Sequence, residues 1–368
     1  MARSKYKGFF NAFRFTTIGG MDSRFRRILC LLLFIPLGAV FAGGRSDASG
    51  ATAKRPAETP VKAPLITRSS PPESRPAETP AGPTNQRAGQ NPASPMEGRA
   101  EMVLRAINQA YPDRTRAPEF RDGDWSIEVY GEIFYYAEGR FLPASLRHRA
   151  GEYDPLPFYG NYPKELPPWI APTPEESARI REQAERRNER PPRRPHYFYD
   201  ALWRAGSRDE AWEQVKQIRF LGHQVLVHYS ILVDLSLVEQ QILRTANNNP
   251  AVRQWVSSIN NIEGWSWRNI SATQSRSFHS YGAAIDLLPR SLGGLQTYWL
   301  WTSQHTPEWW TVPYSRRFHP PPEVITAFES FGFIWGGKWR YFDTMHFEYR
   351  PEILFLSGIP RMDLRDLR

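Results

Sequence analysis

The sequence has 368 residues and a formal net charge of +9, most of which lies near its N-terminus. Residues 1–42 contribute +6 and residues 43–98 contribute +2, so residues 99–368 carry only about +1. A nucleic-acid-binding domain normally shows a basic stripe, and the near-neutral charge of this long region argues against one. The single cysteine, Cys30, precedes it. Disulfides and cysteine-ligated zinc are therefore excluded there, and a metal site would need histidine and carboxylate ligands.

Residues 1–42 have the arrangement of an export signal. Arg24, Arg26 and Arg27 precede an uncharged run over 28–42 that ends at a small residue. Basic residues followed by a short apolar run are typical of a signal peptide. A membrane-spanning helix needs about 20 apolar residues. We therefore predict export to the periplasm or cell envelope, with no stable membrane span in the mature form; the alternative is a retained N-terminal anchor.

Residues 43–98 have the composition of a linker. They contain ten prolines and no Phe, Trp or Tyr, and the hexapeptide Arg-Pro-Ala-Glu-Thr-Pro occurs twice, at 55–60 and 75–80. Without large apolar groups to bury, such a segment cannot offset the conformational entropy lost on folding. We predict a disordered, Pro-rich linker.

Residues 99–220 are predicted to form an N-terminal extension, for which the sequence indicates no chemistry. Most of the aromatic residues lie from this point onward, which provides material for a core. Three segments have clear local patterns: a helix, a hairpin, and a helix that begins with a capping box. These are residues 100–111, residues 125–141 with a turn at Glu138-Gly139, and the helix that starts after Thr173 and ends before Pro191.

The next stretch predicts three helices and a strand. Residues 207–210 read Ser-Arg-Asp-Glu, a second capping box. An apolar stripe at three-residue spacing follows and predicts a helix that continues to a C-terminal cap at Gly222. Alternating apolar residues predict a strand over 225–233. Two further helices are predicted over 235–246 and 251–259.

The C-terminal third contains two clusters of histidine and carboxylate residues. Residues 277–286 read Ser-Phe-His-Ser-Tyr-Gly-Ala-Ala-Ile-Asp, and residues 343–348 read Asp-Thr-Met-His-Phe-Glu. Zinc in a hydrolase takes three protein ligands and leaves one position for water, and two histidines with one aspartate meet that need. The spacing in the first cluster suits a loop that turns at Gly282 and enters a strand over 283–287. Spacing alone favours a structural role for these histidines, because a lone histidine is more often structural than a ligand.

The two clusters also carry a family resemblance. The first fits in full the pattern S-x-H-x-x-G-x-A-x-D, and residues 332–339 followed by the second cluster fit a second block in the same order. In these blocks the sequence resembles the VanY-like D-alanyl-D-alanine carboxypeptidase family of zinc peptidases. The resemblance implies that His279, Asp286 and His346 hold Zn²⁺ and that Asp343 is the general base.

Four residues carry the remaining questions about the site. Family members often have Glu at the position of Asp343, and Asp resembles the L-alanyl-D-glutamate peptidase branch. Glu348 is the alternative base, or a carboxylate that orients His346, because residues two apart on a strand share a face. Arg268 lies where family members often carry an arginine, and is either a clamp for a substrate carboxylate or a surface residue. The resemblance implies that the Ser277 hydroxyl either binds substrate or hydrogen-bonds a residue that holds the metal.

The sequence therefore predicts an α+β fold in which a small antiparallel sheet, flanked by helices, carries the zinc site within residues 221–368. By resemblance, the predicted function is hydrolysis of amide bonds in peptidoglycan stem peptides, of the D-alanyl-D-alanine carboxypeptidase type. An L-Ala-D-Glu endopeptidase is the alternative within the family. A non-catalytic cell-wall-binding protein with a degenerate zinc site is the alternative from another class. Peptidoglycan peptides are the expected partners, and no nucleic-acid partner is expected.

Overall fold

The computed structural model describes residues 95–159 and 162–362. The predicted signal peptide lies outside the described residues, as does the predicted linker up to residue 94. Among the described helices, none is long and apolar enough to cross a membrane.

Helices and short strands alternate along the described chain. The helices are α1 Pro95–Ala110, α2 Pro174–Glu189, α3 Tyr197–Leu202, α4 Arg208–Gln214, α5 Leu232–Asn248, α6 Pro250–Ser258, α7 Trp299–Ser303, α8 Pro322–Ser330 and α9 Pro351–Leu356. The strands are β1 Glu119–Arg121, β2 Asp124–Val129, β3 Glu132–Tyr135, β4 Leu142–Pro143, β5 Val215–Phe220, β6 His223–His228, β7 Ile259–Glu263, β8 Ala284–Pro289, β9 Phe333–Trp335 and β10 His346–Tyr349. Short 3-10 helices lie at Ala137–Gly139, Ala144–Glu152, Tyr229–Ile231, Phe278–Tyr281, Trp309–Thr311, Tyr314–Arg316 and Gly336–Lys338.

The strands form small antiparallel sheets. One has the order β1-β2-β3-β4, a second is the β5-β6 hairpin, and a third has the order β7-β8-β10-β9. Every strand pair in them is antiparallel. This combination of helices with small antiparallel sheets confirms the predicted α+β class.

The hairpin predicted over 125–141 is present, but the prediction of its turn was wrong. Strands β2 and β3 join through Tyr130-Gly131, where both residues have positive φ. Glu138-Gly139 belongs instead to the 3-10 helix between β3 and β4. Tyr130 is a β-favouring residue that directly follows Val129, so the composition concealed the first turn.

The capping box at 207–210 is confirmed, but the helix after it ends at Gln214 rather than at Gly222. The following residues form β5, and Leu221 (φ 46°) with Gly222 (φ 86°) makes the two-residue turn into β6. Positive φ at both central residues is the geometry of a type I′ hairpin turn. Trp212 is 54% exposed, so the three-residue stripe did not mark one buried helical face.

The remaining helix predictions are confirmed, whereas the bounds of the predicted strand change. The strand predicted over 225–233 stops at His228, and the chain passes through a 3-10 helix into α5. Asn249 separates α5 from α6, and its side-chain oxygen accepts hydrogen bonds from the N–H groups of Ala251 and Val252. The capping box at Thr173 is also confirmed at the start of α2.

One hydrophobic core draws on the whole described length. Fully buried aromatic side chains in it include Trp203, Phe220, Phe328 and Trp335. Truncating a buried aromatic residue to alanine typically costs about 3–5 kcal/mol. The predicted boundary between the extension and the peptidase domain, after residue 220, falls in the β5–β6 turn, and core residues come from both sides of it.

Candidate metal centre

The first two candidate ligands lie on either side of a tight turn. Ser277 caps the 3-10 helix that contains His279, and Gly282 (φ 67°) then directs the chain into β8, which carries Asp286. A Cβ atom on residue 282 would lie 2.7 Å from the backbone nitrogen of His228. Both the left-handed conformation and the close approach therefore require glycine. The predicted loop that turns at Gly282 and enters a strand is confirmed.

The third candidate ligand lies on the adjacent strand. His346 begins β10 and pairs directly with Asp286 on β8. Side chains that face each other across an antiparallel pair have Cβ atoms only about 4.5–5.5 Å apart. Both strands lie inside the four-stranded sheet, so each is hydrogen-bonded on two sides. The strand register itself thus brings together two residues that are 60 positions apart.

The three side chains converge on one point. The distance from His279 Nε2 to His346 Nδ1 is 3.2 Å, that from His346 Nδ1 to Asp286 Oδ1 is 2.8 Å, and that from His279 Nε2 to Asp286 Oδ2 is 3.2 Å. Both histidines are buried, while the Asp286 side chain is 15% exposed, which leaves one open side. This group could hold a metal ion. Two imidazoles and a carboxylate with an open side form a donor set suited to a catalytic zinc site.

The remaining ring nitrogens of both histidines have acceptors, which fixes the orientation of each ring. His279 Nδ1 lies 2.6 Å from the carbonyl oxygen of Gly264, and His346 Nε2 lies 3.2 Å from Glu348 Oε1. Donation of the N–H to these acceptors leaves His279 Nε2 and His346 Nδ1 as the lone-pair nitrogens. Metal-ligating histidines almost always have such a partner.

A row of alternating charges continues behind Glu348. Arg350 donates from Nη1 to Glu348 Oε2 over 3.4 Å and from Nε to Glu352 Oε1 over 2.7 Å. Arg350 is 1% exposed and Glu352 is fully buried. The sequence reading missed both residues. The signal was the alternation Glu-x-Arg-x-Glu over 348–352, which places an acid, a base and an acid at two-residue spacing.

Three tyrosines from distant parts of the chain extend this row through hydrogen bonds. Tyr111 donates to Glu352 Oε2 over 2.9 Å, and Tyr159 donates to Glu352 Oε1 over 3.2 Å. The hydroxyls of Tyr159 and Tyr199 are 2.7 Å apart. We call Glu348, Arg350, Glu352, Tyr111, Tyr159 and Tyr199 the buried network. It links His346 to residues that lie more than 100 positions earlier in the sequence.

The ligand cluster is electrostatically coupled. Burial acts to raise the pKa of Asp286, but the charges and hydrogen bonds of His279 and His346 hold it well below its usual value. Burial acts to lower the pKa of His346, and hydrogen bonds and charges from Asp286 and Glu348 raise it above its usual value. A metal ion would therefore displace a proton from this cluster, because a ligand imidazole must be neutral.

Asp343 lies beside the ligand cluster. Burial, followed by the negative charge of Asp286, raises the pKa of Asp343 to about 7, while the charges of His346 and Arg268 act to lower it. Its Oδ1 atom is buried and has no hydrogen-bond partner among the described residues. A raised pKa and an uncommitted oxygen are what a general base needs.

Arg268 and Ser277 are the other residues that the sequence predicts at the site. Arg268 is exposed, and its charge reaches both Asp343 and Tyr298. Ser277 is buried, and its hydroxyl oxygen accepts from the backbone N–H of His279 over 3.3 Å. That hydrogen bond is the cap of the 3-10 helix. Contacts of Arg268 and Ser277 with a substrate stay predictions.

Two segments of the chain match models of known protein families. Residues 271–349 match the family model described as D-alanyl-D-alanine carboxypeptidase, and residues 103–158 match a domain of unknown function, DUF8518. No significant match was found among curated proteins, and none among solved structures.

A buried His-Asp-His cluster that could hold a metal ion, inside a segment with this match, defines a peptidase of a cell-wall peptidase family. Residues 271–349 belong to the D-alanyl-D-alanine carboxypeptidase family. The family predicted from the two sequence blocks is confirmed.

Proposed function

We propose that the protein is a zinc metallopeptidase that hydrolyses amide bonds in peptidoglycan stem peptides, of the D-alanyl-D-alanine carboxypeptidase type. One observation carries this proposal. His279 Nε2, His346 Nδ1 and the Asp286 carboxylate meet within 2.8–3.2 Å of one another, with one side open. They do so inside the segment that matches the peptidase family.

In the proposed reaction, the zinc ion and the protein side chains have different roles. When bound, zinc supplies Lewis acidity to a water molecule and to the scissile carbonyl. Asp343 accepts a proton from the attacking water and returns it to the leaving amine. Its buried, unpartnered Oδ1 supports this role, because an acceptor without a protein donor is available to water.

The contacts of Glu348 support an orienting role instead. Its Oε1 faces His346 Nε2, and its Oε2 accepts from Arg350. Both oxygens are engaged, and its pKa is lowered because hydrogen bonding and charge from His346 and the charge of Arg350 outweigh burial. A carboxylate with neither oxygen free is poorly placed to take a proton from water. We therefore assign the base to Asp343.

Mass analysis of muropeptides after digestion tests the proposal. Purified, zinc-loaded protein is expected to remove a single D-Ala from a pentapeptide muropeptide. Release of a longer peptide would indicate the L-Ala-D-Glu endopeptidase, which the Asp at position 343 favours. Stoichiometric zinc without turnover would indicate the non-catalytic wall-binding protein. His279→Ala serves as the metal-free control.

The proposed substrate also indicates where in the cell the protein acts. Peptidoglycan lies outside the cytoplasmic membrane, so a peptidase that acts on it must be exported. We propose that residues 1–42 direct export and that the protein acts in the periplasm or cell envelope. N-terminal sequencing of the protein recovered from its native host checks the predicted cleavage after Ala42.

A further inference from the structure

Helix α2 and the residues after it lie outside both matched segments, yet they pack on the peptidase segment next to the metal centre. Ile180 and Ala184 contact an aromatic cluster formed by Trp299, Trp309, Trp310 and Phe342. Arg340 donates from Nη1 to Gln183 Oε1 over 3.1 Å. Phe342 directly precedes Asp343. Helix α2 is therefore attached to the strand connection that carries the proposed base.

The segment after α2 is attached to the other side of the site. The carbonyl of Pro192 accepts from Ser275 Oγ and from the Gln274 N–H, each over 3.1 Å. The backbone N–H of Arg194 donates to Ser275 Oγ over 3.1 Å. Ser275 lies four residues before the ligand His279. Residues 187–194 thus bridge the two ligand-bearing segments.

Arg187, Arg190 and Arg194 on this bridge have no acidic partner within ion-pair distance among the described residues, whereas Arg193 pairs with Glu152. Arg187 and Arg194 each have a buried Nε atom without a hydrogen-bond partner. The neighbouring Arg186, in contrast, pairs with Glu182 on the surface. Buried donors are normally satisfied, and an unsatisfied one costs about 1–3 kcal/mol, more if it is charged. Arg187 and Arg194 together therefore offer unsatisfied donors to an external acceptor.

Arg187 packs beside the segment that carries the proposed base. The guanidinium of Arg187 lies 4.7 Å from the centre of the Tyr341 ring, two residues before Asp343. Burial raises the pKa of Tyr298 to about 12, with the charge of Asp343 adding to it and the charges of Arg187 and Arg268 opposing it, so each of these three charged groups lies within electrostatic range of the Tyr298 hydroxyl.

Arg194 lies within electrostatic range of Arg187 and of Glu348. Burial lowers the pKa of Arg194, and the positive charge of Arg187 lowers it further, whereas the charges of Asp154 and Glu348 act in the opposite direction. Glu348 is the carboxylate that contacts the ligand His346. A guanidinium stays protonated in proteins despite such shifts.

We propose that Arg187 and Arg194 form a carboxylate-binding subsite beside the metal centre, which selects stem peptides that carry an internal carboxylate in addition to their C-terminal one. This inference rests on the proposed function. Planar guanidinium groups bind carboxylates through paired hydrogen bonds. The predicted role of Arg268 accounts for one carboxylate, and the two arginines of the bridge account for a second. The residues between the two matched segments would then determine substrate choice.

Binding of two muropeptides tests the subsite. The probes are a pentapeptide muropeptide with free internal carboxylates and the same compound with those carboxylates amidated. Dissociation constants are measured by calorimetry with zinc-loaded Asp343→Asn protein, in which hydrolysis is slow. Amidation is expected to weaken binding about 10- to 100-fold, the usual worth of a charge-assisted hydrogen bond. In the same background, Arg187→Gln with Arg194→Gln should reduce this penalty to less than about threefold.

Two controls accompany the binding measurement, and two results distinguish the subsite from the proposed function. Arg186→Gln, one position away, should leave the amidation penalty as it is. Zinc content should be equal in all variants. Equal binding of the two muropeptides before any arginine is replaced would overturn the subsite, even if the double variant does not fold. If the wild-type protein binds with the expected penalty but hydrolyses neither compound, the subsite stands and the proposed function fails.

Discussion

The segment that matches the peptidase family and the segment that matches DUF8518 contribute to the metal centre in different ways. Residues 271–349 provide all three candidate ligands and the proposed base. Residues 103–158 provide no ligand, but Tyr111 lies within them and donates to Glu352 at the far end of the buried network. Tyr159, the next residue after that match, reaches the same carboxylate.

This difference shows that the residues of the ligand motif and the residues that orient them come from different parts of the sequence. The candidate ligands come from two short sequence blocks, and strand register brings Asp286 and His346 together. The orientation of His346 depends on Glu348, which depends on Arg350, whose charge is balanced by Glu352. Tyr111 and Tyr159 in turn donate hydrogen bonds to Glu352. Loss of a partner that orients a ligand typically costs about 10- to 100-fold in metal affinity or activity. Substitution of a candidate ligand should therefore abolish zinc binding and activity. Substitution of a residue that supports a ligand should only reduce them.

The largest effect is expected from a ligand. His279→Ala should abolish stoichiometric zinc retention and hydrolysis, a loss of more than about 100-fold, because removing a ligand costs more than removing a residue that orients one. Zinc per protein is measured by atomic emission and turnover by release of D-Ala. His305→Ala, at an exposed histidine, is the control and should retain both. A His279→Ala protein with full zinc content would overturn the assignment of this ligand.

The next effect is on stability and comes from the centre of the buried network. Arg350→Met should lower the free energy of unfolding by about 3–5 kcal/mol, because it leaves Glu348 and Glu352 buried without their cation. Urea denaturation of the zinc-free protein measures it. Arg105→Met removes an exposed pair with Glu101 and should cost less than about 1 kcal/mol. Equal costs for the two variants would contradict the role given to the buried network.

The proposed base should affect turnover alone. Asp343→Ala is expected to keep zinc and to lower kcat by about 100-fold or more, the usual contribution of a general base. The comparison is with Glu348→Gln, which should lower zinc affinity instead, by about 10- to 100-fold. Competition with a chromogenic chelator measures the affinity. If Asp343→Ala retains activity while Glu348→Gln loses it, the two roles must be exchanged.

The sequence predicted the ligand region better than the rest because its information is local. The turn at Gly282, the strand into Asp286 and the shared face of His346 and Glu348 all follow from spacing within ten residues. The β5 strand was mistaken for a helix because a capping box and a three-residue stripe came first, and only pairing with β6 decides the outcome.

The buried network could not be predicted, since its partners lie far apart in the chain. Tyr111 and Glu352 are separated by 241 positions, and no local pattern relates them. Likewise, the backbone carbonyl that orients His279 belongs to Gly264, on a loop whose path depends on the fold. The alternating charges over 348–352 do not by themselves indicate that these side chains are buried.

The smallest effect tests whether the DUF8518 segment supports the site at all. Tyr111→Phe removes one buried hydrogen bond to a carboxylate and should lower the free energy of unfolding by about 1.5–3 kcal/mol. Tyr130→Phe, at a residue that is 51% exposed on the same segment, should change it by less than about 0.5 kcal/mol. Both are measured by urea denaturation, with zinc affinity recorded in parallel. A Tyr111→Phe protein as stable as the wild type would confine the support of His346 to residues 348–352. A loss of stability with a matching loss of zinc affinity would extend that support to the N-terminal region.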